Sequence, residues 1–210
     1  MEISTSILSS KNYEETINKL LLTKTDYIHI DIMDGIFVPN KSLNTDEDIN
    51  LINNIKSKKL DIHLMVENPV EYIEKLNNNN IEYITIHYEI NKNLEEIIKK
   101  IKEKGYKVGI SIKPKTKIKV LKPMINKIDL ILIMSVEPGL GGQKFINKTK
   151  RKIRKAKKII NNNIKIEVDG GINNNTIKKI KKADIAVSGS YIINNDDYNY
   201  KIDQLKNMLN

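Results

Sequence analysis

The stretch Tyr27-Ile28-His29-Ile30-Asp31-Ile32-Met33-Asp34-Gly35-Ile36-Phe37-Val38-Pro39-Asn40 begins as a strand and ends as a loop. Ile28, Ile30 and Ile32 alternate with His29 and Asp31, and alternate residues of a strand share a face. An imidazole and a carboxylate therefore point the same way at the end of a strand, beside a Gly-containing loop. That geometry suits a metal or proton transfer, although a strand can also carry a polar solvent face. Partners elsewhere in the chain must decide.

Outward from this strand, apolar runs alternate with amphipathic helical segments. Residues 3–8 read as a strand and 13–22 as a helix. After the 27–32 strand comes a helix over 46–56, with Ile49, Ile52 and Ile55 on one face and Asp46 as N-cap. Residues 60–65 form a strand, and Pro69 opens a helix that ends in the asparagines at 77–80. Residues 81–87 form a strand, and Gly105 closes a helix over 94–104. Strands follow at 107–112, 130–134, 164–168 and 185–187. Their helices are a short one over 118–125, which contains Pro123, then 147–160, 176–182 and 198–209. Eight β/α units predict parallel strands with helical crossovers, and their length matches an α/β (β/α)8 TIM barrel occupying 1–210 as a single domain. A doubly wound open sheet is the alternative.

Composition narrows the chemistry. The 210 residues contain no cysteine, which excludes disulfides, thiolate catalysis and Cys-ligated zinc. Any metal must rest on carboxylates and on His29, His63 and His87, the chain's three histidines. No signal peptide is apparent, and no apolar run approaches the ~18 residues that span a membrane, so a cytoplasmic protein is expected. The net charge of +10 raises the question of nucleic acid. Aromatics for stacking are few, with two Phe and no Trp. In the basic run 148–158, Ile153, Ala156 and Ile160 are spaced as one apolar face, so the cations read as a helix's solvent face. No nucleic-acid partner is expected.

In a barrel of this kind, function sits where strands end. Ser6, His29, Asp31, His63, His87 and Asp169 all fall there. His29, Asp31, His63 and Asp169 together suit one divalent cation such as Zn²⁺, Fe²⁺, Mn²⁺ or Co²⁺. His87 reads equally as a substrate or supporting residue and as a hydrogen-bonded core histidine. Gly139-Leu140-Gly141-Gly142, Gly170-Gly171 and Gly189-Ser190 follow three consecutive strands. Glycine lets backbone N–H groups approach an anion, so these loops predict a phosphate site. Met33, Met65 and Met134 lie at strand ends, either as ordinary packing or as an apolar wall around a reactive carbon.

At this point the segments resemble the ribulose-phosphate 3-epimerase family of the pentose phosphate pathway. The resemblance rests on Ser6-Ile7-Leu8-Ser9, the stretch 29–40, Asp61-Ile62-His63-Leu64-Met65-Val66, the segment 134–145 and Glu167-Val168-Asp169-Gly170-Gly171-Ile172, in family order. It implies a barrel that interconverts D-ribulose 5-phosphate and D-xylulose 5-phosphate, with one divalent metal on His29, Asp31, His63 and Asp169. Asp31 matches the family's proton acceptor and Asp169 its proton donor. Ser6, His63, Gly139, Leu140, Gly141, Gly142, Asp169, Gly170, Gly171, Gly189 and Ser190 match substrate-contacting positions. Family members form homo-oligomers. A 2,3-enediolate with two carboxylates of separated pKa values is the chemistry this implies.

Four departures stand out: Ser10-Lys11 after the first motif, no Gly-Pro after Asn40, Glu137 before Pro138, and Tyr191 after Ser190. They predict altered loop closure and a more crowded phosphate loop. An epimerase of a six-carbon ketose phosphate such as allulose 6-phosphate would share the motifs. A metal-dependent phosphosugar aldolase or decarboxylase would need a cation, yet no Lys lies in the matched strand-end motifs. A basic RNA-binding protein with a dead barrel would have no need of the four metal-type residues.

Overall fold

The computed structural model describes residues 1–161 and 163–209. Strands β1 (Glu2–Ser6), β2 (Tyr27–Asp34), β4 (Lys59–Met65), β5 (Ile81–His87), β6 (Lys107–Ile112), β7 (Leu130–Met134), β8 (Lys165–Asp169) and β9 (Ile185–Ser188) pair in parallel. The order β1-β9-β8-β7-β6-β5-β4-β2 closes through a β1–β2 pairing, Ser6 standing opposite His29. This is a closed parallel barrel, not an open sheet. A two-residue strand, β3 (Lys41–Ser42), adds to β2 antiparallel.

The sequence's alternation sorts the side chains. Ile28, Ile30 and Ile32 join the core between strands and surrounding helices, with Leu60, Ile62, Leu64, Ile84, Ile86, Val108 and Ile110. Their neighbours at i±1 point into the barrel. Near its N-terminal end they are Tyr27, Tyr83, Leu130, Leu132 and Ile185, a second apolar cluster. Above it the interior is polar: Ser4, His29, Asp61, His63, Thr85, His87, Ser111 and Glu167 are all fully buried. The polar face of β2 is therefore an interior face and not a solvent face. Burying polar groups costs free energy unless they are paired. An interior of this kind disfavours the fold relative to an apolar one, and so marks where function has overridden stability.

The helices are α1 (Tyr13–Leu21), α2 (Asp46–Asn53), α3 (Pro69–Lys75), α4 (Leu94–Glu103), α5 (Thr149–Ala156), α6 (Ser190–Ile193) and α7 (Tyr198–Asn207). Several are shorter than their periodicity predicts. Thr45, not Asp46, caps α2, because its hydroxyl and the Asp48 carboxylate form a reciprocal capping box. Residues 118–127 form a 3-10 helix, since Pro123 lacks the N–H an α-helix needs there. The expected helix at 176–182 shrinks to a 3-10 turn, Ile177–Ile180. The Thr176 hydroxyl instead accepts from Asn173 N–H and donates to Gly171 C=O, holding a local turn. In α5, Ile153 and Ala156 are buried while Lys150, Arg151, Arg154 and Lys155 face outward, as the basic run predicted. Among the described residues no helix is long and apolar enough to cross a membrane.

Candidate active site

At the C-terminal end of the barrel, β2 delivers His29 and Asp31, β4 delivers His63 and β8 delivers Asp169. Parallel register places Asp31 beside His63. Each of the four residues offers a ligand atom, and these atoms all lie within 4.8 Å of one another. Around the ring β2 and β8 are separated by β1 and β9, so Asp31 and Asp169 approach from different sides.

Asp31 is fixed at both oxygens. Its Oδ2 accepts from the Ser6 hydroxyl at 2.8 Å. Its Oδ1 lies 3.3 Å from His29 Nε2 and 3.2 Å from His63 Nδ1. His29 is oriented from behind, its Nδ1 being 2.6 Å from Asp61 Oδ2, which also accepts from the Ser4 hydroxyl. His29 Nε2 is buried without a hydrogen-bond partner among the described residues. An imidazole with one nitrogen tied to a carboxylate and the other aimed unpaired at two carboxylates has the form of a metal ligand. The donor set, two imidazoles and two carboxylates, fits a borderline divalent cation.

Asp61 and Glu167 were quoted in the sequence motifs but given no role. The signal was available: each lies two residues before a site residue on the same inward face. Both Glu167 carboxyl oxygens are buried without a hydrogen-bond partner among the described residues. Burial, then the charge of Asp61, pushes this carboxyl well above the usual range. His87, undecided in the sequence, is buried with Nε2 2.9 Å from His63 Nε2.

A cavity of about 270 Å³ opens above the cluster. Ser6, Asp31, Met65, Met134, Gly139, Leu140, Gly141, Gly142, Asp169, Gly170, Gly171, Gly189 and Ser190 line it. Met33 does not; it is fully buried in a small cluster with Met65 and Val38. Of the two readings open for the methionines, Met33 takes ordinary packing, while Met65 and Met134 line the cavity. The Asp34 carboxylate accepts from Ile36, Phe37 and Glu67 N–H. Phe37 packs at a tilt against His87, with centroids 4.8 Å apart, and Asn40 donates to Gly139 C=O at 3.0 Å, so this loop braces the 136–143 loop. Gly170 and Gly171 have φ of +116° and +65°, and a Cβ at Gly171 would come within 2.7 Å of Phe145 N and Gln143 O. Glycine is required there for the two loops to meet. Tyr191 lines the cavity, yet its hydroxyl donates back to Gln204 Oε1 at 2.7 Å, so α7 holds the phenol.

The two aspartates titrate apart. At Asp31 burial favours the neutral acid, but the His29 and His63 imidazoles beside it outweigh burial and hold the carboxyl far below its ordinary range. At Asp169 burial, then the Asp31 charge, raises the carboxyl to about 6, against an ordinary 3.8. A raised carboxyl binds more protons in the folded state, so its contribution to stability falls as pH rises from about 4 to about 6. Asp169→Asn is therefore expected to stabilise the metal-free protein above pH 6, with no gain near pH 4. The shift sets a ceiling of about 3 kcal/mol. Thermal melts in chelator across that range check it; a gain independent of pH would refute the assignment.

Comparison with known proteins shows the family. The chain matches the model of the Ribulose-phosphate 3 epimerase family over residues 2–193. It is 39% identical over 216 residues to the ribulose-phosphate 3-epimerase of Buchnera aphidicola, covering 99% of this chain and 95% of that protein. The Helicobacter pylori ribulose-phosphate 3-epimerase is 34% identical over 213 residues, with 99% and 98% covered. A rice relative, named as the cytoplasmic isoform of ribulose-phosphate 3-epimerase, is 37% identical over 199 residues, with 91% and 86% covered. Among solved structures, 3-hexulose-6-phosphate synthase from Salmonella typhimurium aligns with a TM-score of 0.71 at 16% identity, covering 100% of this chain and 98% of that one, a likeness of fold alone. A family match across nearly the whole chain, joined to relatives of this identity and coverage, shows that the chain belongs to the ribulose-phosphate 3-epimerase family, whose members are carbohydrate epimerases and so isomerases.

Proposed function

We propose that residues 1–210 act as one catalytic domain that interconverts D-ribulose 5-phosphate and D-xylulose 5-phosphate. The observation that carries this is the convergence of His29, Asp31, His63 and Asp169 beneath a glycine-lined cavity. His29, Asp31, His63 and Asp169 would hold one divalent cation. Its positive charge would lower the energy of a 2,3-enediolate.

The chain's own residues do the rest. Asp31, kept ionised by two imidazoles and oriented by Ser6, takes the C3 proton of D-ribulose 5-phosphate. The electron pair of the C–H bond moves toward C2, leaving the enediolate. Asp169, whose carboxyl near 6 carries a proton part of the time, returns one to C3 from the opposite face. In the reverse direction the two exchange roles. Ser6 and His63 contact the sugar. Backbone N–H groups of Gly170, Gly171, Gly189 and Ser190 take the phosphate, and the loop 139–142 covers it. Met65 and Met134 exclude water from C3. The same reading expects a homo-oligomer in the cytoplasm working in pentose phosphate metabolism, without nucleic-acid or membrane partners.

Metal analysis of the purified protein beside a coupled ribulose 5-phosphate assay tests this reading. The expected result is about one divalent ion per chain, with activity lost in chelator and restored by Zn²⁺, Fe²⁺, Mn²⁺ or Co²⁺. A higher kcat/KM on allulose 6-phosphate than on ribulose 5-phosphate would overturn the substrate, and activity unaffected by metal removal would overturn the cation's role.

A further inference from the structure

Both imidazoles of the cluster must present a lone pair inward to bind a cation. His29 does so because Asp61 holds its Nδ1 at 2.6 Å. His63 has no such carboxylate behind it. Its Nδ1 faces Asp31 Oδ1 at 3.2 Å, and its Nε2 meets another imidazole, His87 Nε2, at 2.9 Å. The two rings are stacked, with centroids 5.0 Å apart and planes inclined by 29°. Beyond them, His87 Nδ1 lies 3.2 Å from Glu89 Oε2. Glu89 Oε1 accepts from Lys113 N–H at 2.7 Å and from the Thr116 hydroxyl.

We propose that His87 and Glu89 are positioning residues that fix the tautomer of His63, so that its Nδ1 lone pair is offered to the divalent metal. The inference rests on the metal reading proposed above. Two imidazole nitrogens in hydrogen-bond contact need one proton between them, and geometry alone does not say whose it is. Glu89 decides. Lys113 N–H is a fixed donor, so the oxygen facing it accepts. The Thr116 hydroxyl donates to the same oxygen, and two donors on one carboxyl oxygen favour the ionised form of Glu89. With no proton to give, Glu89 accepts from His87 Nδ1–H. His87 Nε2 is then bare and accepts from His63 Nε2–H. The remaining nitrogen of His63, Nδ1, is the one that faces the ligand cluster. Both histidines are fully buried and Phe37 packs at a tilt against His87, which shields the chain of bonds from water that could reverse it. Outer hydrogen-bond partners of metal-bound histidines set tautomer and ring orientation in this way.

Glu89→Gln turns the chain round without changing its shape. The amide must place its oxygen toward Lys113 N–H, which leaves its NH2 facing His87 Nδ1. His87 then becomes the Nε2–H tautomer, donates to His63 Nε2, and leaves the His63 proton on Nδ1, where the metal would bind. Histidine-selective ¹⁵N NMR of the metal-free full chain reads the tautomer, and calorimetric titration with Zn²⁺ or Co²⁺ reads affinity. The expected result is His87 protonated on Nδ1 in the wild type and on Nε2 in E89Q, with metal Kd weakened roughly 10–100-fold. The same His87 tautomer in both proteins, or a reversed tautomer with unchanged Kd, overturns the inference while leaving the metal reading intact. A wild type that binds neither ion overturns both.

Discussion

Asp31→Asn is expected to lower kcat for D-ribulose 5-phosphate by at least ~10³-fold, because it removes a proton acceptor while sparing the architecture around it. The Asp31 carboxylate has its Oδ2 on the Ser6 hydroxyl and its Oδ1 between His29 and His63. An amide fits the same volume. Ser6 Oγ can accept as well as donate, so the new NH2 can face it and leave a carbonyl oxygen toward the imidazoles. The backbone register that sets Asp31 beside His63 does not change. What disappears is the negative charge, and with it a group able to take a proton from carbon. The assay must be read with metal content, since Asp31 is also one of the four clustered ligands. A metal-loaded D31N with turnover within tenfold of wild type would place the base elsewhere. Ser6→Ala offers a graded companion: it deletes one hydrogen bond to the base, and a loss much smaller than that of D31N is the expected order.

The barrel and four of its site residues could be read from the chain because a strand's two faces obey different chemistry. Ile28, Ile30 and Ile32 must pack against helices, which leaves His29 and Asp31 for the interior, and the same arithmetic yields His63 and Asp169. It would also have yielded Asp61 and Glu167, each two residues upstream, had buried carboxylates been sought behind the ligands as well as among them. Glu89 could not be found this way. It lies past the end of β5, where period-two alternation no longer applies, and its partners come from residues 113 and 116. Helix ends were less legible for a related reason. Thr45 and Asp48 compete with Asp46 for the same cap, and Thr176 serves a turn in place of a helix. Between packing and an apolar wall, the strand-end position of Met33 could not decide, because both depend on the turn that Asp34 makes next.

Asp169→Asn is expected to abolish net epimerisation, again by ~10³-fold or more, yet to leave half of the chemistry detectable. Asp31 and Asp169 stand on strands separated by two others around the ring, and in the proposed mechanism each serves its own face of the substrate. If Asp31 alone remains, it can remove the C3 proton of D-ribulose 5-phosphate, exchange it with solvent and return it to the same face. In D₂O, D169N should therefore place deuterium at C3 of D-ribulose 5-phosphate without forming D-xylulose 5-phosphate. D31N should show the mirror behaviour, labelling D-xylulose 5-phosphate through Asp169. Access of the carboxylates to solvent makes exchange feasible: Asp169 is partly exposed at the cavity wall, and Asp31 also lines it. The pairing of each variant with one epimer separates two acids on two faces from a single acid–base that reaches both. A single-base site would lose labelling of both epimers in one variant and keep both, with turnover, in the other. The environments favour the two-base outcome, since burial and the Asp31 charge lift Asp169 to about 6 while two imidazoles hold Asp31 ionised. Groups driven apart in this way can at one pH serve one as base and the other as acid, which inversion at carbon requires.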